Sequence, residues 1–177
     1  MKHDPPWSLK VRLAEVGRGL RAYTLVADPA ARQQIAASLN LDRLDALEAE
    51  ATLEPWLDGA VLEARWSAAI EQTCGVTLEP FGSQLEGSFQ VRMLPPGSPN
   101  TPEDLSGEVA IDPLAEDPPD TLDDGEIDIA AYVVEHLALE IDPFPRKPGV
   151  EFVQPEEPRI PSPFDALRTF TPKPRGD

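Results

Sequence analysis

Cys74 and His136 are the residues of this chain whose types suit nucleophilic catalysis. Cys74 is the only cysteine, and His136 is one of two histidines. A thiol and an imidazole act together when they lie within hydrogen-bond reach and a third group orients the base. Their surroundings favour packing roles instead, because Cys74 continues an alternating apolar strand and His136 borders an apolar helix stripe. We therefore predict no catalytic residue.

The acidic run 123–128 (DDGEID) is the second chemically suggestive feature. It lacks the alternating acids and the downstream glutamate of a calcium loop. It suits a helix N-terminus better, because Asp128 can cap the first backbone amides while Asp124 and Glu126 lie at the positive end of the helix dipole. A lone cysteine excludes a multi-cysteine zinc site, and the phosphate-binding and hydrolase motifs are absent. We predict no metal, no cofactor and no enzyme.

The elements that position these residues begin with two apolar runs. The runs 8–16 and 20–27 are separated by two glycines and predict a β-hairpin. Asp28 followed by Pro29 then predicts the cap and first residue of a short amphipathic helix that ends at Asn40.

The middle of the chain alternates strictly between apolar and polar residues, which is typical of half-buried strands. Three such strands are predicted, and Asp58-Gly59 is expected to form the turn between the first two. Their apolar positions are Leu47, Ala49, Ala51, Leu53 and Leu57, then Leu62, Ala64, Trp66, Ala68, Ile70 and Cys74, then Leu85, Phe89, Val91 and Met93. These runs predict an antiparallel meander.

A second helix is predicted over 129–140, where apolar residues fall on a broad helical face behind Asp128. Residues 95–126 contain seven prolines and predict a long acidic loop, and 143–177 read as a proline-rich tail with one short helix over 163–170. The fold prediction is a single α+β domain over 1–142, with a mostly antiparallel sheet of about five to seven strands packed by two helices.

The charge is strongly negative and uneven. The net charge is −17, and the segment between Met93 and Pro145 holds fourteen acidic residues and no lysine or arginine. Such a segment either acts as a solvated, extended chain or attracts a partner rich in lysine and arginine. Broad nucleic-acid binding is disfavoured. No apolar run is long enough to span a membrane, so we expect a soluble, cytoplasmic protein.

The N-terminal strands are basic on a small scale, through Lys10, Arg12 and Arg21. This strand face suits either contact with phosphate or, as we favour, solvation and pairing with the protein's own acids. The first alternative would make the chain a direct RNA-binding protein.

Five sequence segments together resemble a known family. They are CGVTLEPF at 74–81, SFQV at 88–91, DGEIDI at 124–129, VEHLALEI at 134–141 with the prolines that follow it, and SPFDAL at 162–167. In this order and spacing they are similar to the bacterial YceD-like family, the large ribosomal RNA subunit accumulation proteins. Many relatives carry a CxxC pair where this chain has Cys74 and Thr77, so a zinc role does not transfer.

The resemblance implies a cytoplasmic, non-catalytic role in the accumulation or maturation of large-subunit (23S) ribosomal RNA. Combined with the charge, it predicts a monomer that binds a basic large-subunit ribosomal protein or a pre-ribosomal particle. The expected contacts are Asp124, Glu126 and Asp128 at the start of the helix, with Phe164 and Leu167 as apolar anchors. Two structural roles stay open, since Asp128 can serve as a cap and the tail segment can fold back on its own sheet. A metal-dependent hydrolase is a third possibility for which no motif argues.

Overall fold

The computed structural model describes residues 5–17, 19–101 and 117–152. The strands in chain order are β1 (Lys10–Arg12), β2 (Arg21–Val26), β3 (Arg43–Trp56), β4 (Gly59–Thr73), β5 (Pro80–Leu94), β6 (Asp120–Thr121) and β7 (Glu126–Asp128). The helices are α1 (Leu13–Val16), α2 (Pro29–Ser38) and α3 (Ile129–Glu140).

The strands form two sheets. The larger sheet has the order β2-β3-β4-β5-β6, in which all neighbours are antiparallel except β5 and β6. The smaller sheet pairs β1 with β7 antiparallel. The predicted α+β class, the mostly antiparallel sheet and the meander from β3 to β5 are confirmed. The five strands of the larger sheet agree with the predicted number, whereas the separate sheet of β1 and β7 was not predicted.

The strand alternation separates the larger sheet into two faces. On β3 and β4 the predicted apolar residues are buried, while the residues between them face solvent. Leu57 is an exception, because it lies in the turn with φ of 53° and is exposed. The turn itself is formed by Leu57 and Asp58, since Trp56 pairs with Gly59, so its predicted position was wrong by one residue.

Two helices cover the apolar face of this sheet. Helix α2 packs against β3, and α3 packs against β4 and β5, and the buried residues of both belong to one hydrophobic core. The predicted start of α2 is confirmed, because the Asp28 carboxylate accepts a hydrogen bond from the Ala31 amide at 2.8 Å. The predicted range of α3 is confirmed as well.

The predicted N-terminal hairpin was wrong. Its first arm divides into β1 and α1, and β1 pairs with β7 rather than with β2. The physical reason is that Leu13 and Val16 are three residues apart, so they share one face of a helical turn but would lie on opposite faces of a strand. The helical turn buries Val16 completely and packs Leu13 against the core. The Leu13 amide also donates to the carbonyl of Gly125, which holds this turn beside β7.

The remaining predictions concern the loop and the tail. Strand β6 lies within the stretch 95–126 that was predicted as a loop, and α1 adds a third, short helix to the predicted two. Residues 102–116 and 153–177 lie outside the described residues, and with them the predicted helix 163–170. Among the described helices, none combines the length and the apolar character needed to cross a membrane.

Candidate partner-binding site

An open recess of about 480 Å³ lies beside the start of α3, and we call it the acidic recess. Segments on both sides of β7, together with the first two turns of α3, provide its walls. Its carboxylates are Asp120, Asp123, Asp124, Glu126, Asp128 and Glu135. Lys10 is the one basic residue in its lining. The structure therefore brings the predicted residues Asp124, Glu126 and Asp128 together in one negatively charged site.

Asp128 has its carboxylate occupied by hydrogen bonds from the protein itself. One oxygen accepts from the Ala131 amide at 3.3 Å and from the Leu9 amide at 2.9 Å, and the other accepts from the Ser8 hydroxyl at 2.6 Å. The side chain therefore caps α3 and also ties the N-terminal segment to it. The predicted role of Asp128 as a helix cap is therefore confirmed.

Glu126 lies on β7 opposite the basic residues of β1. Its carboxylate oxygens are each 3.8 Å from a cationic nitrogen, Nζ of Lys10 and Nε of Arg12. These pairs are solvent-exposed, so each contributes little to stability and leaves the carboxylate accessible. The third basic residue, Arg21, begins β2 in the other sheet. The basic residues therefore do not share one hairpin face.

Asp120 and Tyr132 form a polar contact in the recess wall that sequence reasoning missed. The Tyr132 hydroxyl donates to the Asp120 carboxylate at 2.9 Å. Burial, followed by the hydrogen bond and charge of Asp120, raises the pKa of the Tyr132 hydroxyl above its ordinary value. The sequence could have indicated that Tyr132 and Glu135 line the recess. They follow the cap residue Asp128 by four and seven positions and therefore share its helix face.

The carboxylates of the recess are spread along its lining. Within the described ranges, no group of three acidic, histidine or cysteine side chains is arranged to hold a metal. Carboxylates spread along a wall can instead pair with the ammonium and guanidinium groups of a basic protein surface.

Cys74 and His136 occupy separate environments. Cys74 is buried just after β4, and its sulfur accepts a hydrogen bond from the Lys147 amide at 3.4 Å. That bond, followed by hydrogen bonds from Thr77, lowers the pKa of the thiol to about 6. His136 stacks on Phe89, and no hydrogen bond joins it to Cys74 in the described part of the chain. The predicted packing role of Cys74 agrees with its burial.

The family model for the large ribosomal RNA subunit accumulation protein YceD matches residues 62–166. The chain belongs to the YceD family. The matched region begins in β4 and includes β5, β6, β7 and α3, and with them all the carboxylates of the acidic recess. Comparison with curated proteins and with solved structures gave no significant match. Membership confirms the resemblance read from the sequence and connects the YceD-family chain with large-subunit ribosomal RNA accumulation.

Proposed function

We propose that this YceD-family protein supports the accumulation of large-subunit ribosomal RNA by binding, without catalysis, a basic ribosomal protein or a pre-ribosomal particle in the cytoplasm. The observation that carries the proposal is the acidic recess, whose carboxylates all lie inside the region matched by the family. Binding of the basic protein would then support the protection or maturation of the nascent RNA indirectly.

The charges of the recess select the class of partner. Its six carboxylates are accompanied by Lys10 in the lining and by Arg12 on β1, so the negative sign dominates. Such a surface attracts lysine- and arginine-rich proteins, raises their association rate and loses strength as salt is added. The same charge repels RNA phosphates.

The individual residues contribute in different ways. Asp123 and Asp124 are exposed at the rim of the recess, and we assign them with Glu126 as contacts for the partner. Asp128 acts as a positioning residue through its bonds to α3 and the N-terminal segment. Phe164 and Leu167 lie outside the described residues, and we propose them as apolar anchors on the basis of sequence alone.

Direct RNA binding through the N-terminal strands has weaker support. Lys10 and Arg12 are paired with Glu126, and Arg21 lies in a different sheet. Cations that are partly neutralised and lie in two different sheets bind a phosphate backbone weakly.

The proposal is tested in cells depleted of this protein, by measuring the ratio of large- to small-subunit ribosomal RNA. We expect depletion to lower the ratio and the intact chain to restore it. The variant D123N/D124N should restore it poorly, whereas E140Q/E151Q, which removes the same charge from exposed sites outside the recess, should restore it fully. If depletion leaves the ratio unchanged, the proposed role in ribosomal RNA accumulation is contradicted. If D123N/D124N restores the ratio fully, the acidic recess does not take part in this role.

A further inference from the structure

We propose that the outer face of the larger sheet binds an extended, lysine- and arginine-rich segment of a partner protein. The outer face is the surface of β2–β5 that points away from α2 and α3. This inference is independent of the ribosomal role and of the acidic recess, and its test uses purified protein.

The outer face is ordered in rows by the strand register. One row contains Val26, Glu48, Ser67 and Glu86, the next contains Thr24, Glu50, Arg65 and Ser88, and a third contains Ala22, Thr52, Glu63 and Gln90. All of these side chains are exposed except Thr52, which is half-buried. Residues directly opposite each other on neighbouring strands share a face, so the rows form one continuous surface.

The rows of side chains leave open grooves between them. A groove of about 790 Å³ crosses the four strands in the second and third rows, and a further hollow of about 290 Å³ adjoins it at the first row. Neighbouring strands lie about 4.8 Å apart, so the three gaps between β2 and β5 span about 14 Å, the length of about four extended residues. The groove therefore has the dimensions of a short peptide segment.

The charge of the groove is negative and largely uncompensated. The three rows carry Glu48, Glu50, Glu63 and Glu86 against one cation, Arg65. The amide of Gln90 donates to Glu63, whereas none of Glu48, Glu50 and Glu86 has an ion-pair partner among the described residues. In the first row only Ser67 separates Glu48 from Glu86. The two glutamates are thus two strand spacings, about 9.6 Å, apart on one face, and a cation bound over Ser67 would be attracted by both.

These features identify the occupant by its chemistry. Lysine and arginine combine a cationic end with a long apolar stem. The small residues Ala22, Ser67 and Ser88 leave room for such stems, while the glutamates flank them. RNA is excluded by the sign of the charge. An extended basic segment satisfies both the shape and the charge.

The probe for the experiment is hexalysine, titrated calorimetrically into the intact 177-residue chain at low salt. We expect E48Q/E50Q to weaken hexalysine binding about tenfold, because two negative charges that attract the lysine side chains are lost. The matched variant E140Q/E151Q removes the same charge from exposed sites outside the groove and outside the acidic recess, and it should change the affinity by less than about twofold. Hexalysine acetylated on every side-chain amine should not bind.

A variant in the opposite direction guards against effects of misfolding. R65Q removes the cation from the centre of the groove and should strengthen hexalysine binding about threefold, which an unfolded protein would not do. Equal affinities for the intact chain, E48Q/E50Q and R65Q would overturn the proposal. So would a loss confined to D123N/D124N, because the peptide would then occupy the acidic recess.

The chain's own basic residues near the C-terminus are a competing occupant. Arg168, Lys173 and Arg175 are neutralised in the variant R168Q/K173Q/R175Q. We expect hexalysine to bind this variant as it binds the intact chain. Binding that becomes about tenfold tighter would show that the chain itself fills the groove and would overturn the proposal of an external partner.

Discussion

The imidazole ring of His136 lies flat against the phenyl ring of Phe89, with ring centroids 3.9 Å apart and planes within 7° of each other. Phe89 is on β5 opposite Ala64 of β4, and His136 is near the middle of α3. The stack therefore holds α3 against β5. Because Asp128 begins the same helix, this contact also helps to set the position of the acidic recess.

His136 should make the stability of the protein depend on pH. Burial lowers the pKa of His136, although Glu135 and Glu140 oppose the effect. The unfolded chain then binds the proton more readily, so the free energy of unfolding should fall as the pH decreases through about 6.5. Urea unfolding from about pH 8 to about pH 5 measures this dependence. H136F keeps an aromatic ring against Phe89 and should show a shallower decrease. An identical slope in both proteins would contradict the assignment.

Asp128 should contribute more to stability than an ordinary helix cap. D128A removes the cap of α3 together with the bonds to Ser8 and Leu9, and we expect a loss of about 2–3 kcal/mol in the free energy of unfolding. D28A removes only the cap of α2 and should cost about 1 kcal/mol. Urea denaturation of both variants gives the comparison. Equal losses would mean that the N-terminal segment gains nothing from Asp128.

Gly59 should be intolerant of any side chain. A Cβ atom at this position would overlap the carbonyl oxygen of Met93 and lie 3.1 Å from Cα of Leu94. We expect G59A to lower the free energy of unfolding by about 2–3 kcal/mol because β4 and β5 must separate. G17A is the matched control, since Gly17 has φ of −55° and space around it, and it should stabilise the protein by about 0.5 kcal/mol. Thermal unfolding of the two variants decides the point.

Cys74 should titrate as an unusually acidic thiol. The amide of Lys147 and then the hydrogen bonds from Thr77 stabilise the thiolate and lower its pKa to about 6. The ultraviolet absorbance of the thiolate, followed against pH and corrected with C74S, should show this transition, and T77V should move it upward. Because the folded pKa lies below the unfolded value of 9.0, stability should rise as the pH increases from about 6 to about 9. A transition near the ordinary thiol value would contradict this account.

Local patterns were sufficient for much of the larger sheet and for the two longer helices. The alternation on β3 and β4 predicted the buried face, because side-chain direction in a strand reverses at every residue. Asp28 and Asp128 predicted the helix starts, because capping depends on residues only three positions away. The family segments were equally readable, and the match over 62–166 confirms them.

Strand pairing was harder to predict where short elements compete. The run 8–16 satisfied a strand pattern, yet pairing with β7, across more than one hundred residues, decided its structure. Gly59 illustrates the same limit. The Asp58-Gly59 pair predicted a turn, whereas the structure requires glycine at position 59 because the backbone of β5 lies against it. Such contacts are stabilised by interactions with segments that are distant in the sequence, and local periodicity does not reveal these interactions.

The sequence by itself determined the family, the α+β class, the acidic charge and the three acids at the start of α3. Only the tertiary structure decided that Asp128 is occupied by the N-terminal segment, that Glu126 faces Lys10, and that Asp120 and Tyr132 complete the recess. The physical reason is that charge and periodicity are properties of neighbouring residues, whereas a site is defined by which distant side chains the packed core brings within a few ångströms.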